Sequence, residues 1–91
     1  MSDQPQETLL EFPCQFPLKA MGEYPDSFAQ VVLTIVQRHI GEHVTEQDIK
    51  QRPSKNGKYL AVTVTFEAHS KQQLDDLYRE LHAHSHVKYL L

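Results

Sequence analysis

An α+β sandwich, with a four-stranded antiparallel sheet covered on one face by two helices, is the fold class this sequence predicts. Three observations carry that reading. Residues Tyr59–Ala68 alternate strictly, with Leu60, Val62, Val64, Phe66 and Ala68 on one side and Tyr59, Ala61, Thr63, Thr65 and Glu67 on the other, the period of a half-buried strand. Two further stretches, Phe28–His39 and Leu74–Leu81, place their apolar residues on a single stripe at helical spacing. The chain has 91 residues, too few for a complete dinucleotide-binding fold, an eight-stranded barrel or two ordinary domains.

Each element is justified in chain order. Residues 1–11 are polar apart from Met1, Pro5, Leu9 and Leu10 and read as a flexible tail, with docking beginning near Phe12; residues 12–91 read as one domain. Phe16, Leu18 and Ala20 alternate with Pro17, Lys19 and Met21 up to Gly22. This is a short strand with Pro17 expected at its beginning, because proline cannot donate to a ladder. Tyr24, Pro25, Asp26 and Ser27 form a helix-start cluster, and Phe28, Val31, Val32, Ile35, Val36 and His39 follow as the buried stripe, stopped at Gly41. Asp48–Pro53 reads as a polar edge strand, and Asn56-Gly57 supplies the turn to the strand Tyr59–Ala68. Ser70 and Gln73 form a capping box for the second helix, whose stripe is Leu74, Leu77, Tyr78 and Leu81. Val87–Leu91 closes the chain as a last strand. The order βαββαβ, with one apolar stripe per helix, is the ferredoxin-like arrangement; its second sheet face is left open or used for association.

Composition narrows the function classes. Hydrophobic residues are 40% and charged residues 23%, an ordinary globular balance. Nine Lys and Arg against twelve Asp and Glu give a net charge of −3, so nucleic acid is not advertised by an overall basic footprint. One cysteine, no apolar leader after Met1 and no run of membrane-spanning length fit a cytoplasmic protein with no membrane partner.

The chemistry-bearing residues are few. His82, His84 and His86 alternate just after the second helix, with no Cys, Asp or Glu among them to complete a metal set, so they read as a solvated connection and no metal is expected. Protonation of all six histidines, around pH ~6.5 for unperturbed imidazole, takes the formal charge from −3 to +3. His39 reads as a half-buried residue at a helix end. Cys14 follows Pro13 without an acid–base neighbour in sequence, so no catalytic residue and no cofactor are assigned. Lys50, Arg52, Lys55 and Lys58 form a basic hairpin that could meet phosphates or an acidic partner surface, although lysines also keep hairpin edges soluble. RNA recognition by the sheet is disfavoured, since Phe66 has the wrong parity for the open face and the basic-glycine-aromatic strand signature is missing. Gly22, Glu23 and Tyr24, at a strand-to-helix turn, are the candidate ligand-binding residues for a small anion or amino-acid carboxylate. Tyr59, Ala61, Thr63 and Thr65 are the candidate interaction face.

Taken together, Leu10-Glu11-Phe12-Pro13, Lys19-Ala20-Met21-Gly22, Val36-Gln37-Arg38-His39, Arg52-Pro53-Ser54, Gly57, Tyr59, Ala61-Val62-Thr63-Val64 and Leu77-Tyr78-Arg79-Glu80-Leu81 resemble the YbeD-like family of small uncharacterised bacterial proteins. The resemblance covers nearly everything after residue 9. It implies a ferredoxin-like domain akin to the ACT domains that bind amino acids in metabolic enzymes. It implies no catalytic residue. Through its usual gene neighbourhood it suggests a link to lipoate or cell-wall metabolism. Pro17 stands where family members commonly have a donor, and the His82–His86 run is not a family feature. The expected function is a non-catalytic regulatory or protein-interaction module, acting as a homodimer or docked on an enzyme. The alternative is a small-ligand sensor of ACT type.

Overall fold

The computed structural model describes residues 11–23 and 25–90; Tyr24, Leu91 and residues 1–10 of the expected tail lie outside them. The elements are β1 (Cys14–Glu23), α1 (Pro25–His39), β2 (Ile49–Pro53), β3 (Tyr59–Ala68), α2 (Lys71–Ala83) and β4 (Val87–Leu90). The strands pair antiparallel in the order β2-β3-β1-β4, so the two long strands lie at the centre and the two short ones at the edges. This is the ferredoxin-like βαββαβ sandwich expected from the sequence.

The core lies between the helices and one sheet face. Leu60, Val62, Val64, Phe66 and Ala68 of β3 are each no more than 4% exposed, and Leu18 and Ala20 of β1 join them. From the helices come Phe28, Val32, Ile35 and Val36 of α1 and Leu74, Leu77 and Leu81 of α2. Removing each larger side chain from water favours the folded state by roughly 1.5–3 kcal/mol before chain entropy is counted. Val31, Tyr78 and His39, assigned to the helix stripes by spacing, are only half-buried, and Leu33 is buried in addition.

Three local expectations are corrected. The first strand is ten residues long, and Pro17 sits inside it, opposite Thr65 of β3. The Glu23 N–H donates to the His86 carbonyl on the β4 side, and strand alternation turns the backbone of Pro17 to that same side. There β4 pairs only with Ala20, Met21 and Gly22, so no ladder bond is asked of the proline. Asp48 does not begin β2. It closes a 3₁₀ turn, Glu46–Asp48, by accepting the Thr45 N–H at 2.9 Å, while the Thr45 hydroxyl accepts from Gln47. The loop ahead of this turn is held by Val44, 2% exposed, whose carbonyl accepts from Gln37 Nε2 at 2.8 Å.

The third correction concerns the start of α2. Ser70 Oγ accepts the Gln73 N–H at 3.1 Å as expected, but Gln73 Oε1 accepts from His69 rather than from Ser70, at 2.9 Å. Gln73 Nε2 also donates to the His39 carbonyl, at 3.3 Å, so one side chain ties the start of α2 to the end of α1.

Candidate functional site

With both helices on one side, the odd-numbered residues of β1 and β3 face away from the core. Strand pairing then assembles them into rows. Arg52 of β2 lies opposite Ala61 of β3, Ala61 opposite Met21 of β1, and Met21 opposite Tyr89 of β4, which gives one row across all four strands. The neighbouring row is Lys50, Thr63 and Lys19. A shallow hollow of about 390 Å³ lies over these rows, lined by Lys19, Lys50, Gln51, Arg52, Ala61 and Thr63. Ala61, Thr63 and Met21 are half-buried, while Tyr89 is 63% exposed.

The structure therefore brings together two groups that were separate along the chain. Ala61 and Thr63 of the candidate face sit between Lys50 and Arg52 of the basic hairpin and Lys19 of β1. Thr65 lies at the exposed rim opposite Pro17. Tyr59 lies opposite Glu23, with the Lys58 ammonium 5.4 Å from the centre of its ring. Lys55 stays in the hairpin turn, where Asn56 Oδ1 accepts from Ser54 and Lys58 and Gly57 takes the positive φ of 74° that the turn requires.

Charge is sorted between the two layers. Among the described residues, Arg38 pairs with Glu80, Lys71 with Asp75, Arg79 with Asp76 and Lys88 with Glu23. The other five of the nine basic residues, Lys19, Lys50, Arg52, Lys55 and Lys58, have no carboxylate partner among the described residues. All five belong to the bare face or its hairpin.

The turn after β1 is occupied by the protein itself. A side chain at Gly22 would fall on the Phe28 ring and the His86 carbonyl oxygen, so this glycine permits close packing. The Glu23 N–H is used by His86, and its carboxylate lies 3.6 Å from Lys88 Nζ. Tyr24 lies outside the described residues.

The remaining candidates are structural in their surroundings. His39 Nε2 lies 2.6 Å from Glu80 Oε1, and Arg38 meets the other oxygen of the same carboxylate, a clasp between the helices that sequence spacing did not reveal. His82 belongs to the last turn of α2, and the ring centres of His84 and His86 lie 4.9 Å apart, with the His86 N–H donating to His84 Nδ1 at 3.1 Å. Among the described residues no three His, Cys, Asp or Glu side chains are grouped to hold a metal ion. Cys14 is half-buried at the start of β1 and packs against the core. Among those same residues, no helix is long and apolar enough to cross a membrane.

Tyr78 packs its ring edge-on to Phe16, centres 6.3 Å apart, and burial pushes its phenol above the usual value. Below pH ~10 the phenol is neutral in both folded and unfolded chains; above it the unfolded chain loses the proton first. The contribution to stability is thus intact below pH ~10 and is lost as pH rises toward the raised folded value. Tyr78→Phe is expected to show a Tm offset from the parent that is constant below pH ~10 and moves in the variant's favour above it. A thermal melt series across that range checks this, and an offset that stays constant throughout would show that the phenol ionises equally in both states.

Residues 7–91 match the family described as protein of unknown function (DUF493). A UPF0250 protein of Janthinobacterium sp. is 47% identical over 87 residues, covering 96% of this chain and 94% of that protein. Another from Chromobacterium violaceum is 46% identical over 91 residues and covers both chains fully. The solution structure of protein HP0495 from H. pylori superposes with a TM-score of 0.72 at 15% identity, covering 99% of this chain and 90% of that one, a likeness of fold. The resemblance read from the sequence is borne out by these matches.

Proposed function

The chain belongs to the DUF493 family of proteins of unknown function, and we propose that within it the chain is a non-catalytic regulatory module that docks on another protein through the bare face of its sheet. The observation that carries this reading is the composition of that face: half-buried Ala61, Thr63 and Met21 and exposed Tyr89 lie beside Lys19, Lys50 and Arg52, which have no carboxylate partner among the described residues. Ala61, Met21 and Tyr89 lie in one row across the sheet, and apolar anchors with a charged surround are the usual anatomy of a protein contact.

A photoreactive phenylalanine placed at Thr65, on the rim, tests this in the protein's own cells. A protein adduct is expected at Thr65 and not at Gln72, which is exposed on α2. Adding Thr63→Glu is expected to reduce that adduct about tenfold, since it puts a charged, larger side chain into the contact. Equal adducts at the two positions, or none at Thr65, would overturn the reading.

A further inference from the structure

We infer that the surface recognised by the bare face is a cluster of carboxylates flanked by an apolar contact, the carboxylates meeting Lys19, Lys50 and Arg52 and the apolar group meeting Ala61, Met21 and Tyr89. The inference rests on the docking reading above and adds the chemistry of the partner.

The first argument is the sorting of charge. The molecule is acidic overall, at −3, yet the cations without a carboxylate partner among the described residues are confined to one side. Cations spread for solubility would be expected on both layers. The helix-layer cations Arg38, Lys71 and Arg79 are instead matched by Glu80, Asp75 and Asp76.

The second argument is spacing. Lys50 and Lys19 flank Thr63 from the two strands beside β3, and neighbouring strands lie about 4.8 Å apart, so their backbones are roughly 10 Å from one another. Arg52 follows Lys50 by two residues on the same strand, roughly 6.8 Å along it. The triangle brackets Ala61 and Thr63, so carboxylates on a protein surface can meet it on either side of an apolar contact.

Two other occupants fit less well. Two bare faces of this chain placed together would bring Lys19, Lys50 and Arg52 of each copy into one interface. Among the described strand residues, the acids on that face are Glu67, at the far end of β3, and Glu23, already beside Lys88. A single-stranded nucleic acid needs rings on which to stack, but Phe16 and Phe66 face the core side, their ring centres 5.9 Å apart. Among the described residues, Tyr59 and Tyr89 are the rings left on the bare face, and both lie toward one end.

The test keeps the photoreactive residue at Thr65 and reverses charge beneath it. Lys19→Glu, Lys50→Glu and Arg52→Glu together are expected to lower the adduct about tenfold or more, while Lys71→Glu with Arg79→Glu, on the helix layer, leaves it unchanged. The partner peptide carrying the adduct, sequenced by mass spectrometry, is expected to be rich in Asp and Glu beside an aliphatic or aromatic residue. These side chains are exposed, so the fold should tolerate the change; if the triple variant melts early, the single changes Lys50→Glu and Arg52→Glu are each expected to lower the adduct about threefold. An adduct that survives the charge reversal, or one on a neutral or basic peptide, overturns the inference while leaving Thr65 a contact site, and one on a nucleic acid or a second copy overturns the docking reading as well. No adduct even before charge reversal overturns the docking reading itself.

Discussion

Replacing Phe28 with alanine is expected to lower stability by about 3–5 kcal/mol, the range for losing a buried aromatic side chain together with the cavity it leaves. Phe28 is fully buried near the start of α1, and its ring lies against Gly22 of β1, where the central sheet meets the helix layer. A domain of this size is commonly stable by only about 5–15 kcal/mol, so the variant is expected to sit close to its unfolding transition. At about 4–8 °C per kcal/mol for a small domain, the melting temperature should fall by more than ~12 °C. Urea titration followed by circular dichroism measures the loss. A change under about 1 kcal/mol would mean that the ring is not a core element, and that the packing described for α1 is wrong.

Gly22→Ala acts at the same contact from the opposite side. The added methyl would meet the Phe28 ring and also the carbonyl oxygen of His86, which belongs to the backbone leading into β4. A side chain can rotate away from such a contact, but a backbone carbonyl beside a short edge strand moves only if the strand moves. The expected loss is about 3 kcal/mol, at the upper end of the overpacking range. The two changes should not add. With Phe28 already alanine, half of the steric conflict is gone and the methyl fills part of the vacated space, so the double variant is expected to be more stable than the sum of the singles by about 1 kcal/mol or more. A double-mutant cycle in urea gives that coupling directly. Strict additivity would show that the conflict at Gly22 lies entirely with His86.

These two residues illustrate which parts of the fold were legible. Tyr59–Ala68 came out residue for residue as β3, because ten alternating positions admit only one period. The buried Leu74, Leu77 and Leu81 of α2 were equally plain, since a single stripe on a polar helix has only one way to face the core. Pro17 misled because its cost depends on whether its backbone position has a ladder partner, which is set by how far β4 extends along β1. Gly22 read as a ligand-binding residue at a strand-to-helix turn because the chain does not state that Phe28 and His86 converge over it.

The candidate face divides in the same way. Parity along β3 alone placed Tyr59, Ala61, Thr63 and Thr65 together, and the short spacing of Lys50 to Lys58 made the hairpin visibly basic. Lys19, Met21 and Tyr89 were missed. The parity of Lys19 and Met21 relative to Leu18 and Ala20 was available locally, but the side Tyr89 faces, and which of the three lies beside Ala61 or Thr63, is a matter of strand order and register.

By itself, then, the sequence determined the element order, most of the helix stripes, the buried face of β3 and hence the ferredoxin-like sandwich, because hydrophobic periodicity is a local property that every few residues restate. Only the tertiary structure decided that Arg52, Ala61, Met21 and Tyr89 form one row, that Lys19 joins Lys50 across Thr63, and that Arg38 and His39 clasp Glu80. Those relations come from contacts between residues far apart in the chain. Strand register and helix docking create them when the core closes, and no short window of sequence contains them.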